Sequence, residues 1–190
     1  MASSNAGKIR EIQRLLEDLD VEVIAQSELG VSDADETGKT FAENSFLKAQ
    51  HAADATGLPS IADDSGLAVD ALDGAPGVYS ARYAGGAGDE ANNDKLLAAL
   101  EGVVDRGAAF HCVATFVDPA ASEPLVAAGE WRGEILRARQ GDGGFGYDPL
   151  FLVPDCHCSS AELSQAQKNA RSHRGQALRK LVELIKQRYA

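Results

Sequence analysis

The amino-acid sequence predicts a mixed α/β or α+β fold, in which helices flank a central mixed sheet. Segments with helical spacing of apolar residues alternate with short strand-like segments, but not in the strict βαβ order of a doubly wound sheet. The 190 residues are 44% hydrophobic and 25% charged, which suits one globular domain or two closely packed lobes of one fold. We therefore expect a single domain over residues 1–190.

Helices are predicted where apolar residues recur every three or four positions. Asn5 is a candidate N-cap for the first helix. The second opens at Thr40, has Glu43 three residues later as in a capping box, and ends before Gly57 and Pro59. The predicted helices cover residues 6–18, 40–56 and 92–101, and a final segment with Leu178, Leu181, Val182 and Ile185 on one face.

Strands are predicted where apolar residues alternate or form short runs between turn residues. A turn at residues 63–66 separates two of them, and glycine-containing loops cover residues 74–88 and 141–146. The predicted strands cover residues 21–25, 60–62, 67–71, 109–117, 124–131, 133–139 and 150–153.

The charge and composition argue against several classes of protein. With 18 basic and 29 acidic residues, the net charge of −11 disfavours binding to a nucleic-acid backbone, although a few lysines and a metal ion can form a local anion site. No apolar run approaches the roughly 20 residues of a membrane span, and the first residues show neither a signal nor a transit peptide. Three cysteines cannot form a disulfide framework, so the cytoplasm is the expected location.

Three segments imitate ligand-binding motifs but lack the required context. Residues 141–146 satisfy G-x-G-x-x-G, yet a strand follows where a dinucleotide fingerprint needs a helix. Residues 38–40 resemble the end of a Walker A loop whose first glycine is replaced by Asp33. The two cysteines of residues 156–158 are spaced more tightly than structural zinc ligands usually are. We reject all three interpretations.

Two lysine-containing segments could bind phosphate. Residues 3–8 form a small-residue turn that leads into a helix, whose N-terminus and Lys8 would attract an anion. Taken alone, this segment is better explained by a simple cap at Asn5 and a solvated Lys8. Lys48 lies four residues after Asn44 on one helical face and is flanked by apolar residues, which indicates a partly sheltered ammonium. Glu43 has a structural explanation in the capping box.

The pair Asp63 and Asp64 could bind a metal ion, since adjacent carboxylates repel each other unless a cation or a proton intervenes. Mg²⁺ takes one or two carboxylates together with water and phosphate oxygens. The alternative is an ordinary Asp/Ser/Gly turn.

A glycine loop and the last helix could bind a nucleotide. Residues 143–149 allow a ligand to approach the backbone, and Phe145 or Tyr147 offers a ring for base stacking, unless the aromatic ring fills the core. Lys168 and residues 172–174 add charge at or near the start of the terminal helix. Together the acids, the lysines and the glycine–aromatic loop indicate a nucleotide phosphohydrolase.

These segments resemble the Ham1/inosine triphosphate pyrophosphatase family, and within it the bacterial XTP/dITP diphosphatase branch. Only Met1 and Ala2 precede the Ser/Thr-x-Asn turn at residues 3–5, whereas members of this family usually have a short hydrophobic strand there. Either translation starts further upstream, or the first strand is truncated. The matching stretches keep their order along nearly the whole chain and cover residues 4–8, 41–48, 61–67, 74–83, 144–149 and 172–174.

The resemblance implies an elongated two-lobed fold with an active-site cleft between the lobes, usually in a homodimer. It also implies Mg²⁺-dependent hydrolysis of ITP, dITP and XTP to the monophosphate and pyrophosphate. Asp64 would be the proton acceptor and, with Glu43, a metal ligand, while Lys48 would be a catalytic residue that contacts the triphosphate or the sugar. The residues implied to bind substrate are Ser3, Ser4, Asn5, Ala6, Gly7, Lys8, Ser65, Phe145, Gly146, Tyr147, Asp148, Lys168, His173 and Arg174.

The expected reaction is attack of water on the α-phosphorus, activated by Asp64 directly or through the metal, with lysines stabilising the charge. Inosine and xanthosine present a 6-keto acceptor that Arg174 or His173 can bind, whereas adenine presents a 6-amino donor. Two alternatives stay open: a pyrophosphatase for another modified or pyrimidine nucleotide, and a non-catalytic nucleotide-binding module.

Overall fold

The computed structural model describes residues 1–2, 6–17, 19 and 21–189. Its helices and strands confirm the mixed α+β class. The helices are α1 (Ala6–Leu15), α2 (Phe41–Thr56), α3 (Asp89–Ala99), α4 (Gln165–Arg171) and α5 (His173–Tyr189). The strands are β1 (Ser60–Val69), β2 (Gly107–Val117), β3 (Leu125–Ile135), β4 (Phe151–Val153) and β5 (Cys158–Ser159).

The five strands form one sheet in which each strand lies beside the next along the chain, in the order β1-β2-β3-β4-β5. β4 is antiparallel to both of its neighbours, with Leu152 opposite Glu134 of β3 and opposite Ser159 of β5. The prediction of two strands around residue 132 is wrong, because β3 continues through Gly133. A Cβ at Gly133 would lie 2.4 Å from the carbonyl oxygen of Leu152, so this glycine allows close approach of β4.

β1 continues through Asp63 and Asp64, and the turn predicted at residues 63–66 is therefore wrong. Consecutive side chains of a strand point to opposite faces. Each carboxylate accordingly accepts a hydrogen bond from a different cation, Asp63 from Arg174 and Asp64 from Lys48. Because both acids have partners within the fold, they do not need the solvent exposure that a turn would give them.

α2 begins and ends as its sequence signals predict. Thr40 is the N-cap, and its side chain accepts a hydrogen bond from the backbone N–H of Glu43, whose carboxylate accepts one from the N–H of Thr40. Gly57 follows the helix with a left-handed φ of 68° and donates to the carbonyl of Ala53. The N-terminus of α2, which carries Glu43, Asn44 and Lys48, is thus fixed by local interactions.

One local prediction is wrong, and one short helix was not predicted. Residues 21–25 form no strand within the described part of the chain; the Met1 amino group instead donates to the carbonyl of Ile24, and Gln26 N–H donates to the carbonyl of Met1. The short helix α4 was not predicted, although Ser164 and Gln167 form a capping box at its start.

The chain divides into two compact units. The first contains Met1–Asp64, Cys112–Gly129 and Arg174–Ala190. Its main core contains the apolar face of α5 together with Ile12 of α1 and Phe116 of β2. That face carries the four apolar residues predicted for the final helix, Leu178, Leu181, Val182 and Ile185, and all four are buried.

The second unit contains Ser65–His111 and Glu130–His173. Its core includes Trp131, the single tryptophan of the chain, which is 7% exposed. The Trp131 ring centroid lies 5.3 Å from that of Phe151 and 6.5 Å from that of Phe110. No helix in the described residues is long and apolar enough to span a membrane.

Candidate active site

The first unit contains a cluster of charged side chains around Lys48 of α2. The Nζ atom of Lys48 lies 2.9 Å from Oδ1 of Asp64 and 3.0 Å from Oε1 of Glu36. The side chains of Lys48 and Asp64 are only 16% and 12% exposed. Burial lowers the pKa of Lys48, but the hydrogen bonds and charges of Asp64 and Glu36 together outweigh burial and raise that pKa above its ordinary value. Lys48 is therefore a permanent cation at neutral pH.

Asn44 holds the second oxygen of Asp64. Its Nδ2 atom donates to Oδ2 of Asp64 at 3.2 Å, and its Oδ1 accepts from the N–H of Gly38 at 2.8 Å. Asn44 and Lys48 reach the same carboxylate because they lie one helical turn apart, which confirms the predicted shared face. A Cβ at Gly38 would lie 2.6 Å from Oδ1 of Asn44, so glycine is required at this contact.

Glu43 is exposed at the N-terminus of α2. Its Oε2 atom accepts from the N–H groups of Lys39 at 2.6 Å and Thr40 at 3.1 Å, which confirms the predicted capping box. The geometry thus shows the structural role of Glu43. Its role as a metal ligand stays a prediction.

Asp63 and Arg174 form a second ion pair in the same unit. Nε of Arg174 lies 3.0 Å from Oδ2 of Asp63, and the side chains are 17% and 2% exposed, respectively. The thiol of Cys112 lies 3.9 Å from the same oxygen. The guanidinium that the resemblance assigns to base recognition is therefore held by a buried carboxylate. From the sequence, Asp63 was considered only as one of two adjacent acids that could bind a metal ion or form a turn, and its pairing with Arg174 was not predicted.

In the second unit, the loop that contains Phe145 is organised around Asp148. The buried carboxylate of Asp148 accepts from the N–H of Phe145 at 2.8 Å, from Oγ of Ser160 at 2.7 Å, and from Lys168. Lys168 Nζ also lies 4.9 Å from the centroid of the Phe145 ring, in a cation–π contact. The structure thus brings together three of the predicted nucleotide-binding residues, Phe145, Asp148 and Lys168.

Of the two aromatic rings considered for base stacking, Phe145 is accessible and Tyr147 is not. Phe145 is 64% exposed, whereas Tyr147 is 4% exposed and its hydroxyl donates to the carbonyl of Ser80 at 2.8 Å. Burial raises the pKa of the Tyr147 hydroxyl far above its usual range. Tyr147 belongs to the core of the second unit, and only Phe145 offers a face to a base.

Gly146, between these two rings, is held by α3. Its N–H donates to Oδ2 of Asp89 at 2.6 Å, and its carbonyl accepts from Nδ2 of Asn93 at 2.9 Å. Neither Asp89 nor Asn93 was predicted as a functional residue from the sequence. The only available signal was their spacing of four residues on one helical face.

The remaining predicted residues lie in both units. Ser65 follows Asp64 in β1 and is half-buried. His173 begins α5, and its ring stacks on Phe110 with centroids 4.9 Å apart. Ala6, Gly7 and Lys8 form the first turn of α1. The predictions for Ser3, Ser4 and Asn5, and for the side chains of residues 6–8, lie outside the described residues.

The charged cluster fits a magnesium ion that a substrate would help to bind. Within the described ranges, no group of three or more His, Cys, Asp and Glu side chains is placed to hold a metal ion. Mg²⁺ needs only one or two carboxylates when phosphate oxygens and water complete its shell. The oxygens of Asp64 accept one hydrogen bond each and keep further lone pairs. The ammonium of Lys48 between Asp64 and Glu36 shows that this cluster accommodates a cation.

Comparison with known proteins gives consistent matches over nearly the full length. A model of the Ham1 family matches residues 1–184. The dITP/XTP pyrophosphatase of Pectobacterium atrosepticum is 54% identical over 190 residues, which cover 98% of this chain and 96% of that protein. The protein of the same name from Vibrio parahaemolyticus is 55% identical over 188 residues, covering 95% and 92%.

Two solved structures agree with these matches. A HAM1 protein from Coxiella burnetii superposes with a TM-score of 0.92 at 49% identity, covering 97% of this chain and 96% of that chain. The Ham1 protein of Staphylococcus aureus gives a TM-score of 0.92 at 45% identity, covering 98% and 97%.

Proposed function

The chain belongs to the Ham1 family, and we propose that it hydrolyses noncanonical purine nucleoside triphosphates, namely ITP, dITP and XTP, to the monophosphate and pyrophosphate. The observation that carries the proposal is the 54% identity, over 98% of the chain, to a relative named dITP/XTP pyrophosphatase. The pair of Lys48 and Asp64 supports it, because a sheltered carboxylate beside a cation suits water activation next to phosphate. This activity would remove unwanted nucleotides from the cellular pool.

In the proposed reaction, Asp64 accepts a proton from the water that attacks the α-phosphorus. The bond from the α-phosphorus to the bridging oxygen breaks, and pyrophosphate leaves with the electron pair. Asp64 and Glu43 would hold Mg²⁺, which when bound neutralises charge on the phosphate oxygens. Lys48 keeps its proton at neutral pH and supplies positive charge next to Asp64. Asn44 fixes the second carboxylate oxygen of Asp64 and so orients the base.

Base recognition in this proposal depends on Phe145 and Arg174. The exposed ring of Phe145 would stack on the purine, with Lys168 against the ring. The guanidinium of Arg174 and the ring of His173 would donate to the 6-keto oxygen of inosine or xanthine. Adenine presents a 6-amino donor there, and a site built for hydrogen bonding rejects a base that leaves its donors unpaired.

The same proposal includes the other expected substrate contacts, the oligomeric state and the location of the protein. The segment from Ser3 to Lys8 would bind phosphates at the N-terminus of α1, and Ser65 would contact the triphosphate or the sugar. A homodimer in the cytoplasm is part of the same proposal. The net charge of −11 supports a small anionic substrate that arrives with a metal ion rather than a nucleic acid.

The direct test is pyrophosphate release from ITP, XTP, GTP and ATP, each measured with Mg²⁺ and with EDTA. We expect release that requires the metal and strongly favours ITP and XTP over ATP. Equal release from ATP would contradict the proposed base recognition. Nucleotide binding without release in the presence of Mg²⁺ would contradict the enzymatic function and favour a binding module.

A further inference from the structure

Two residues of α3 hold both polar atoms of Gly146, the residue that follows the exposed ring of Phe145. We infer that Asp89 and Asn93 are positioning residues for nucleotide binding, because they fix the loop that presents Phe145 to the purine. This inference rests on the proposed function and deepens it, since it assigns to α3 a part in the affinity for the base.

Asp89 and Asn93, one helical turn apart, together hold Gly146, and we call this pair of contacts the clamp. Asp89 and Asn93 are four residues apart on α3, so their side chains lie on one face. The carboxylate of Asp89 accepts from the N–H of Gly146 at 2.6 Å, and the amide of Asn93 donates to its carbonyl at 2.9 Å. Gly146 has a φ of 60°, in the left-handed region that favours glycine. A residue with this freedom needs external contacts to keep one conformation.

The burial of Asn93 indicates that these contacts do more than fill space. Asn93 is 1% exposed, and its Oδ1 atom has no hydrogen-bond partner in the described part of the chain. A buried acceptor without a partner destabilises a fold, and an apolar residue would avoid that cost. The Nδ2 atom of Asn93 donates both of its hydrogens, to the carbonyls of Gly146 and Asp89 at 2.9 Å each. What the buried amide of Asn93 provides in return is therefore the fixed position of Gly146.

The contacts of Asp89 and Asn93 to Gly146 affect the neighbouring Phe145 because the other residues of this loop are also held in place. The N–H of Phe145 donates to Asp148, and the hydroxyl of Tyr147 donates to the carbonyl of Ser80. Of the two aromatic rings in this loop, that of Phe145 is exposed and that of Tyr147 is buried. A loop that is already ordered loses less conformational entropy when a ligand binds. Release of Gly146 would therefore weaken nucleotide binding while leaving the reacting groups in place.

The chain offers a matched pair of variants for the test, Asp89→Ala and Glu90→Ala. Both acids are exposed in the first turn of α3, where a negative charge stabilises the helix N-terminus. Of these two acids, Asp89 contacts Gly146, whereas Glu90, whose side chain is 80% exposed, pairs with Arg139. An ion pair of so exposed a carboxylate contributes little. A difference between the two variants therefore measures the clamp and not the helix.

We expect Asp89→Ala to raise the KM for ITP by about five- to thirtyfold, with kcat changed by less than about twofold. Glu90→Ala should change neither constant by more than about twofold. Asp89→Asn keeps an acceptor oxygen and should restore most of the affinity. Because stacking does not depend on the identity of the base, the KM for XTP should rise by the same factor. An unchanged KM in Asp89→Ala, or an equal rise in Glu90→Ala, would overturn the inference.

Asn93 can be tested against its neighbour Asn92, which is equally buried and bonds to Ala81 and Ala84. Asn93→Ala and Asn92→Ala should lower the melting temperature by similar amounts. Only Asn93→Ala should raise the KM for ITP without a matching loss of kcat. The same KM in both variants would show that the effect of Asn93 is on folding alone.

Amide hydrogen exchange separates this inference from the proposed function. In the full-length protein, exchange of the Gly146 amide should be slow, should accelerate in Asp89→Ala, and should stay slow in Glu90→Ala. This measurement requires no turnover. If the unmodified chain released pyrophosphate from no nucleotide, the proposed function would fail, and the exchange data would still show whether the clamp exists. Fast exchange at Gly146 in the unmodified chain would refute the clamp itself.

Discussion

Asp63 and Asp64 are consecutive residues of β1, yet they pair with different cations. Oδ2 of Asp63 lies 3.0 Å from Nε of Arg174, and Oδ1 of Asp64 lies 2.9 Å from Nζ of Lys48. Because adjacent strand residues point to opposite faces, the carboxylates avoid each other and their effects can be separated by mutation.

Asp64→Asn should reduce pyrophosphate release from ITP by about 10²- to 10⁴-fold, the range expected for loss of a general base. The amide keeps the shape of the carboxylate, but its single oxygen cannot accept from both Asn44 and Lys48, and the charge that pairs with Lys48 is lost. The protein should therefore stay folded with a lower melting temperature. Steady-state release and thermal unfolding of the same sample test both statements. Near-normal turnover would remove Asp64 from the mechanism.

Asp63→Asn should affect the choice of base rather than the proton transfer. It removes the charge that holds Arg174, and breaking a buried pair from one side typically costs about 3–5 kcal/mol. We expect a lower melting temperature and a smaller ratio of kcat/KM for ITP over ATP, because the guanidinium loses its fixed position. Asp64→Asn is the matched control for the ratio. If Asp63→Asn kept full discrimination, Arg174 would not depend on Asp63 for its role.

Glu36→Gln should change the pH dependence of stability. The folded-state pKa of Lys48 is raised above 10.5, its ordinary value, so the stability gained from its ion pairs is fully present below that pH. That stability is lost as the pH rises through the raised pKa. We therefore expect Glu36→Gln to be less stable by a constant amount at neutral pH, and the difference to shrink above about pH 10.5. Melting temperatures of both proteins from pH 7 to 11 test this; a difference that grows with pH would contradict it.

Phe145→Ala should raise the KM for every purine nucleotide by roughly 5- to 150-fold, since stacking on an aromatic ring contributes about 1–3 kcal/mol per base. The ring is exposed, so the melting temperature should change little. Phe145→Trp offers a larger ring and should retain affinity. A KM that rose for ITP but not for XTP would show that Phe145 reads the base edge rather than its face.

The parts of the fold that follow from neighbours in sequence were predictable. The capping box of Thr40 and Glu43 and the stop at Gly57 define α2 from local contacts alone, and the apolar spacing of α5 identified its buried face. The shared face of Asn44 and Lys48 was predicted from the helical repeat in the same way.

Features that depend on distant partners were not predictable from one sequence. Asp63 and Asp64 have the composition of a turn, and the cations with which they pair in the strand lie 111 and 16 residues away along the chain. The contacts from α3 to Gly146 join residues 57 and 53 positions apart. No local pattern distinguishes Asp89 and Asn93 from an ordinary acidic helix start and a buried amide.

The position of Trp131 makes one unit of this chain optically distinct from the other. It is the only indole in the protein, and its ring lies against Phe110 and Phe151 in the core of the second unit. Intrinsic tryptophan fluorescence therefore reports on the second unit, whereas far-ultraviolet circular dichroism collects signal from helices throughout the chain. Denaturation followed by both signals shows directly whether the two units lose their structure in a single cooperative step.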